Sequence, residues 1–150
     1  MMMPPIAGLT ELLELDLRHA PVQDLSPLAG LAQLQKLQLA DSVRPDLTPL
    51  ASLSGLADLR INACQLLSVA ALAPLTGLMY LSLAENSLTD LVGIGGMTAL
   101  EELEAYGNEI TSLDVIVENE GLGQDERVDL TGNPIDCVGE ADNIAILVAR

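Results

Sequence analysis

Leu75-Thr76-Gly77-Leu78-Met79-Tyr80-Leu81-Ser82-Leu83-Ala84-Glu85-Asn86-Ser87-Leu88-Thr89-Asp90 is the stretch whose reading decides the fold. Leu81 and Leu83 alternate with Tyr80, Ser82 and Ala84, the period of a strand with one buried face. Asn86 follows where a chain leaving such a strand has to turn. An amide side chain there can offer donors and an acceptor to backbone groups that no strand pairs.

Moving outward, the same spacing recurs every 22 residues. Counting the first residue of each unit as position 0, units begin at Leu9, Leu31, Leu53, Leu75 and Met97, with apolar residues at positions 3, 6 and 8 each time. These are Leu12-Leu15-Leu17, Leu34-Leu37-Leu39, Leu56-Leu59-Ile61, Leu78-Leu81-Leu83 and Leu100-Leu103-Ala105. A sixth unit begins at Leu122, after a three-residue insertion at Asn119–Gly121. Position 11 reads Ala20, Ser42, Cys64, Asn86, Asn108 and Asn133. Ser42, Cys64, Asn86, Asn108 and Asn133 are therefore expected to form a structural turn ladder, with the N-terminal units looser because they lack the amide. The back half of each unit, as in Asp24-Leu25-Ser26-Pro27-Leu28 and Asp46-Leu47-Thr48-Pro49-Leu50, carries prolines that cannot donate to a helical ladder. Short 3₁₀ or irregular segments are expected there rather than long helices.

Stacked units of this kind form a solenoid with a parallel sheet on its concave side. The unit Leu-x-x-Leu-x-x-Leu-x-Leu-x-x-Asn-x-Ile-x-Asp-Leu-x-Pro-Leu resembles the leucine-rich repeat of the SDS22-like class, which listerial internalins carry. Leu75–Asp90 and Leu25–Leu31 match it closely. The resemblance implies an α/β class leucine-rich-repeat solenoid, right-handed, of bacterial origin. It covers one domain over 1–150, with units at about 9–30, 31–52, 53–74, 75–96, 97–118 and 122–143, and partial units at 1–8 and 144–150. Both termini fall inside a repeat, which reads as a fragment with open ends capable of end-to-end self-association. Residues 142–150 read alternatively as a short amphipathic cap helix.

Composition narrows the function. The 150 residues include two tyrosines, Tyr80 and Tyr106, and no Phe or Trp, so the core must be aliphatic. A net charge of -16, from 22 acidic and 6 basic residues, disfavours nucleic acid and anionic membrane surfaces as partners. It points to a high-salt habitat, with ordinary acidic solubilisation as the other reading. No membrane insertion is expected, since the longest nearly apolar stretch, Leu91–Leu100, is half the ~20 residues a helix needs and holds three glycines. Met1-Met2-Met3-Pro4-Pro5 carries no secretory signal. The chain reads as cytoplasmic or, were its true N-terminus missing, as secreted or displayed on the cell surface.

No phosphate loop, nucleophile elbow or zinc spacing occurs, so neither catalysis nor a cofactor is expected. His19 reads as an exposed bystander. Cys64 is expected to be buried and Cys137 to pack at the C-terminal end. Some three coils separate them, too far for the two to link. Glu101, Glu102 and Glu104, or the 117–127 stretch, carry enough carboxylates for a hard cation. A solvated acidic loop is the stronger reading.

The outward positions 5, 7 and 9 of the six strands hold four basic and six acidic residues and both tyrosines. Tyrosine and arginine are enriched at binding hot spots. Arg18, Lys36, Arg60, Tyr80, Ser82, Glu102, Glu104, Tyr106 and Arg127 are the expected partner-binding residues on this face. The expected function is non-catalytic recognition of a protein or other macromolecule. The alternative is a structural or spacer segment of a larger surface protein or multidomain enzyme. Six strands at ~4.8 Å by about seven residues at ~3.3 Å give roughly 500 Å² of face. A stable interface takes ~800 Å² per partner.

Overall fold

The computed structural model describes residues 6–122 and 126–149. Six strands, β1 (Glu14–Leu17), β2 (Lys36–Ala40), β3 (Asp58–Asn62), β4 (Tyr80–Ser82), β5 (Glu102–Glu104) and β6 (Arg127–Asp129), form one sheet in chain order. All neighbours are parallel, and Glu14, Lys36, Asp58, Tyr80, Glu102 and Arg127 stand side by side across it. That row is spaced by 22 residues until its last step, which is 25 because of the insertion at Asn119–Gly121. The chain is a leucine-rich-repeat solenoid.

Each coil closes through the same backbone bonds. The position-3 amide donates to the position-0 carbonyl, as in Leu34 to Leu31, Leu56 to Leu53, Leu78 to Leu75 and Leu100 to Met97. Opposite the sheet run 3₁₀ turns at Ser26–Leu28, Thr48–Ser52 and Ala70–Leu72, the first two opened by their prolines. Asp24 and Asp46 start them by accepting the amides of Ser26 and Thr48 at 2.9 and 3.0 Å. The Ser26 and Thr48 hydroxyls, with these amides second, hold both carboxyls below the ordinary aspartate range.

Between sheet and 3₁₀ side lie continuous leucine columns. Leu37, Leu59, Leu81 and Leu103 are wholly buried, as are Leu34, Leu56, Leu78 and Leu100 within 1%. Large side chains are unnecessary because each layer is one coil thick and supported on both sides. The end coils differ. Leu12, Leu15 and Leu17 are half-buried, and Val128 is 36% exposed. Helix α1 (Asp114–Glu118) replaces the 3₁₀ turn in the fifth coil. Residues 141–149 form helix α2 (Ala141–Ala149), tied to α1 by Asn143, whose amide donates to Asp114 at 2.9 Å. Among the described residues no helix is long and apolar enough to cross a membrane.

The position-11 residues divide the work at the turn. Asn86 Oδ1 accepts the amides of Cys64 and Leu66, both at 3.0 Å, and Nδ2 donates to the carbonyls of Ile61, Leu83 and Ala84. Asn108 and Asn133 act in the same way with one amide each, accepting those of Leu88 and Ile110. Ser42 supplies one hydroxyl to the Val22 amide at 3.1 Å. At Cys64 the backbone takes over: its carbonyl accepts the Arg44 amide at 2.8 Å, while the thiol points back to the Asn62 carbonyl. The thiol is buried, which pushes its pKa up.

Position 10, just before this ladder, is left-handed in every coil: φ is 66° at His19, 58° at Asp41, 53° at Ala63, 56° at Glu85, 65° at Gly107 and 73° at Gly132. Only the last two are glycine, the residue that takes this conformation without steric cost. Ala63→Gly is therefore expected to raise stability by about 0.5–1 kcal/mol, read as a higher denaturation midpoint. A lower midpoint would contradict it.

Candidate binding face

Alternation along each strand sends positions 6 and 8 inward and positions 5 and 7 to the outer face of the sheet. There, four of the expected residues come together with one that was not expected. Lys36 Nζ lies 3.2 Å from Asp58, and Asp58 also accepts from Arg60 Nε at 3.0 Å. The Arg60 guanidinium carbon sits 4.2 Å from the centre of the Tyr80 ring, a cation–π contact. The Tyr80 hydroxyl donates to Glu104 Oε2 at 2.6 Å. One chain of contacts thus runs Lys36–Asp58–Arg60–Tyr80–Glu104 across β2 to β5.

Ser82 is the floor of this chain and not part of its surface. Expected as an exposed contact, it is wholly buried, and its hydroxyl donates to Asn62 Oδ1 at 2.9 Å. The reason is its neighbours: in register it stands between Arg60 and Glu104, and the Tyr80–Glu104 bond passes diagonally over a side chain too short to emerge. The expectation that Ser82 offers itself to a partner is corrected accordingly.

The remaining expected residues lie apart from this chain. Arg127 Nη1 pairs with Glu102 at 3.0 Å on the neighbouring strands. Arg18 forms a bidentate bond with Asp16 at the β1 edge, and the guanidinium hydrogen bonds hold that carboxyl down at about 2. Tyr106 is half-buried beyond the end of β5, and its hydroxyl makes no bond among the described residues.

Burial, with the Glu104 hydrogen bond second, pushes the Tyr80 phenol up to about 12. Since the folded state retains this proton above the ordinary value of 10, it contributes stability that is present below 10 and lost as pH rises toward 12. The chain has no Trp, so a Tyr106→Phe variant leaves Tyr80 as its one tyrosine. Its alkaline absorbance titration should have a midpoint near the upper value, and Glu104→Gln should lower it. Titration at the ordinary value in folded protein would remove the bond from the account.

Three further readings are changed or sharpened. Cys137 is exposed instead of packed at the C-terminal end, because the chain from Pro134 to Gly139 runs along the surface before α2. Both cysteines are free. The insertion is no solvated loop at its start. Asn119 is wholly buried and donates to the carbonyls of Ile94 and Met97 at 2.8 and 3.2 Å, so the extra residues plug the preceding coil. Residues 123–125 of the 117–127 stretch lie outside the described residues. Among the described residues no three His, Cys, Asp or Glu side chains group as a cation site. His19 is exposed and 3.3 Å from Asp41.

Asp58, Asn62 and Asn119 went unassigned in the sequence. Asp58 was legible, two residues before Arg60 on the same strand face and beside Lys36. Asn62 and Asn119 left no signal, because each acts on backbone groups of another coil.

No protein-family model matches the chain, and no curated protein matches it. Solved structures do. An internalin from Listeria monocytogenes (inlF) is 31% identical with a TM-score of 0.82, over 95% of this chain and 42% of the internalin. Internalin C2 of the same organism is 32% identical with a TM-score of 0.79, over 93% of this chain and 61% of its own. The leucine-rich-repeat ectodomain of the plant membrane receptor kinase GASSHO1/SCHENGEN3 from Arabidopsis thaliana, solved in complex with Casparian strip integrity factor 2, is 25% identical. Its TM-score is 0.67, over 89% of this chain and 17% of its own. The chain thus spans about two fifths and three fifths of the two internalins.

Proposed function

Since the chain is an internalin-like leucine-rich-repeat protein, we propose that it is a non-catalytic binding module that takes a protein partner on the concave face of its sheet. The observation that carries this reading is the Lys36–Asp58–Arg60–Tyr80–Glu104 chain, which holds a tyrosine and a guanidinium in fixed positions on an otherwise open face. Groups already ordered lose little entropy when a partner arrives, so more of the contact energy becomes affinity. Complex formation by the plant ectodomain adds support, as it uses the same architecture.

A second reading is a spacer segment in a longer surface protein or multidomain enzyme. It is favoured by the roughly 500 Å² of face, short of the ~800 Å² a stable interface buries per partner. Under the binding reading, neighbouring repeats or a flanking domain supply the rest.

The two readings separate in one experiment. Immobilised wild-type chain, Tyr80→Ala/Tyr106→Ala and the opposite-side control Asp46→Ala are compared for capture of a partner identified by mass spectrometry. The tyrosine variant should lose about 2 kcal/mol or more of affinity, as truncated anchors commonly do, and the control almost none. Equal capture by all three would move the site off the sheet and favour the spacer.

A further inference from the structure

Resting on that reading, we propose that the partner presents a cationic, extended segment, and that an arginine or lysine of it enters the cavity where β3, β4, β5 and β6 begin. That cavity has a volume of about 520 Å³, and its lining includes Asp58, Met79, Tyr80, Glu101, Glu102 and Arg127. It combines two kinds of wall. Met79, 44% exposed, is apolar, and the Tyr80 ring adds apolar surface beside it while carrying the Arg60 guanidinium 4.2 Å from its centre. The rim carries the carboxylates of Asp58, Glu101 and Glu102, with Arg127 held against Glu102 at 3.0 Å. Long basic side chains are built for such a site, burying their methylene stems on apolar surface while the charged head meets an acid.

Charge on the surrounding face selects the sign. Each of its basic side chains is already ion-paired within the chain: Arg18 to Asp16 at 2.7 Å, Lys36 to Asp58 at 3.2 Å, Arg60 to Asp58 at 3.0 Å and Arg127 to Glu102 at 3.0 Å. Among the described residues, Glu101 and Glu104 have no cation within 4.0 Å, and Glu104 accepts the neutral Tyr80 hydroxyl. An anionic partner would have to break internal pairs and would sit against those carboxylates. A cationic one completes them. The net charge of -16 acts in the same direction at long range, drawing basic segments toward the surface.

The probe is a fluorescein-labelled peptide alternating arginine and serine, with a glutamate–serine peptide of equal length beside it, measured by fluorescence anisotropy on the full chain. The arginine peptide should bind, more weakly as salt rises, and the glutamate peptide should not. Glu101→Gln/Glu104→Gln should weaken binding about tenfold or more. Asp24→Asn/Asp46→Asn, which removes the same charge on the opposite side, should change it less than about twofold. Glu101→Gln alone keeps the test intact if the double variant misfolds, because Glu101 makes no side-chain bond among the described residues, and about fivefold weakening is expected. Equal loss from both double variants would mean unlocalised attraction to an acidic surface and overturn the proposal. So would the absence of binding by either peptide. Binding of the glutamate peptide that Tyr80→Ala abolishes would overturn the cationic partner while leaving the binding face standing.

Discussion

Replacing Asn86 with alanine is expected to lower unfolding free energy by about 3 kcal/mol or more, against about 1 kcal/mol for Ser42→Ala. Asn86 is 8% exposed and serves two amides and three carbonyls across two coils. Alanine leaves the Cys64 and Leu66 amides without an acceptor at a site water barely reaches. A buried unmade bond costs more than a made one contributes. Ser42 serves the Val22 amide alone at that distance, so less is lost. Asn108→Ala, which frees the Leu88 amide, should fall between them. Urea denaturation followed by circular dichroism measures all three. A Ser42→Ala cost as large as that of Asn86→Ala would contradict the ladder. Hydrogen exchange should likewise protect the Leu103 strand better than the Leu15 strand, whose coil has alanine at this position.

The second large effect belongs to Gly93. Its φ is +113°, outside even the left-handed region that asparagine tolerates, and a Cβ there would lie 2.9 Å from both Ala70 Cα and the Val69 carbonyl oxygen. Both contacts are backbone of the preceding coil, and they cannot swing aside as a side-chain tip would. Gly93→Ala should therefore cost about 3 kcal/mol through combined strain and overpacking. Gly96 is the control. It lies three residues on in the same glycine-rich stretch, with open space where its Cβ would be. Gly96→Ala should be close to neutral. Similar midpoints for the two variants would show that the coils are not packed as closely as described.

These two sites illustrate where sequence legibility stops. The 22-residue period by itself determined the solenoid, the parallel register and the inward leucine columns. It also determined which residues stand at each turn, because every coil places equivalent positions next to each other. Spacing alone converts to a neighbour list when strands stack in register. The strand row Glu14–Lys36–Asp58–Tyr80–Glu102–Arg127 follows from that arithmetic, including the 25-residue step at the insertion.

Contacts off that grid were decided by the tertiary structure. The Tyr80–Glu104 bond is diagonal, joining position 5 of one coil to position 7 of the next, and it converts Ser82 from surface to floor. Which carboxylate each cation selects depends on side-chain reach and rotamer, so Asp58 takes both Lys36 and Arg60 while Glu104 takes neither. Asn119 works on carbonyls 22 and 25 residues behind it, and Gly93 is required by backbone it meets only after stacking. Periodicity specifies what lies beside a residue; what lies diagonally above it, and whether water still reaches it, depends on the packed side chains themselves.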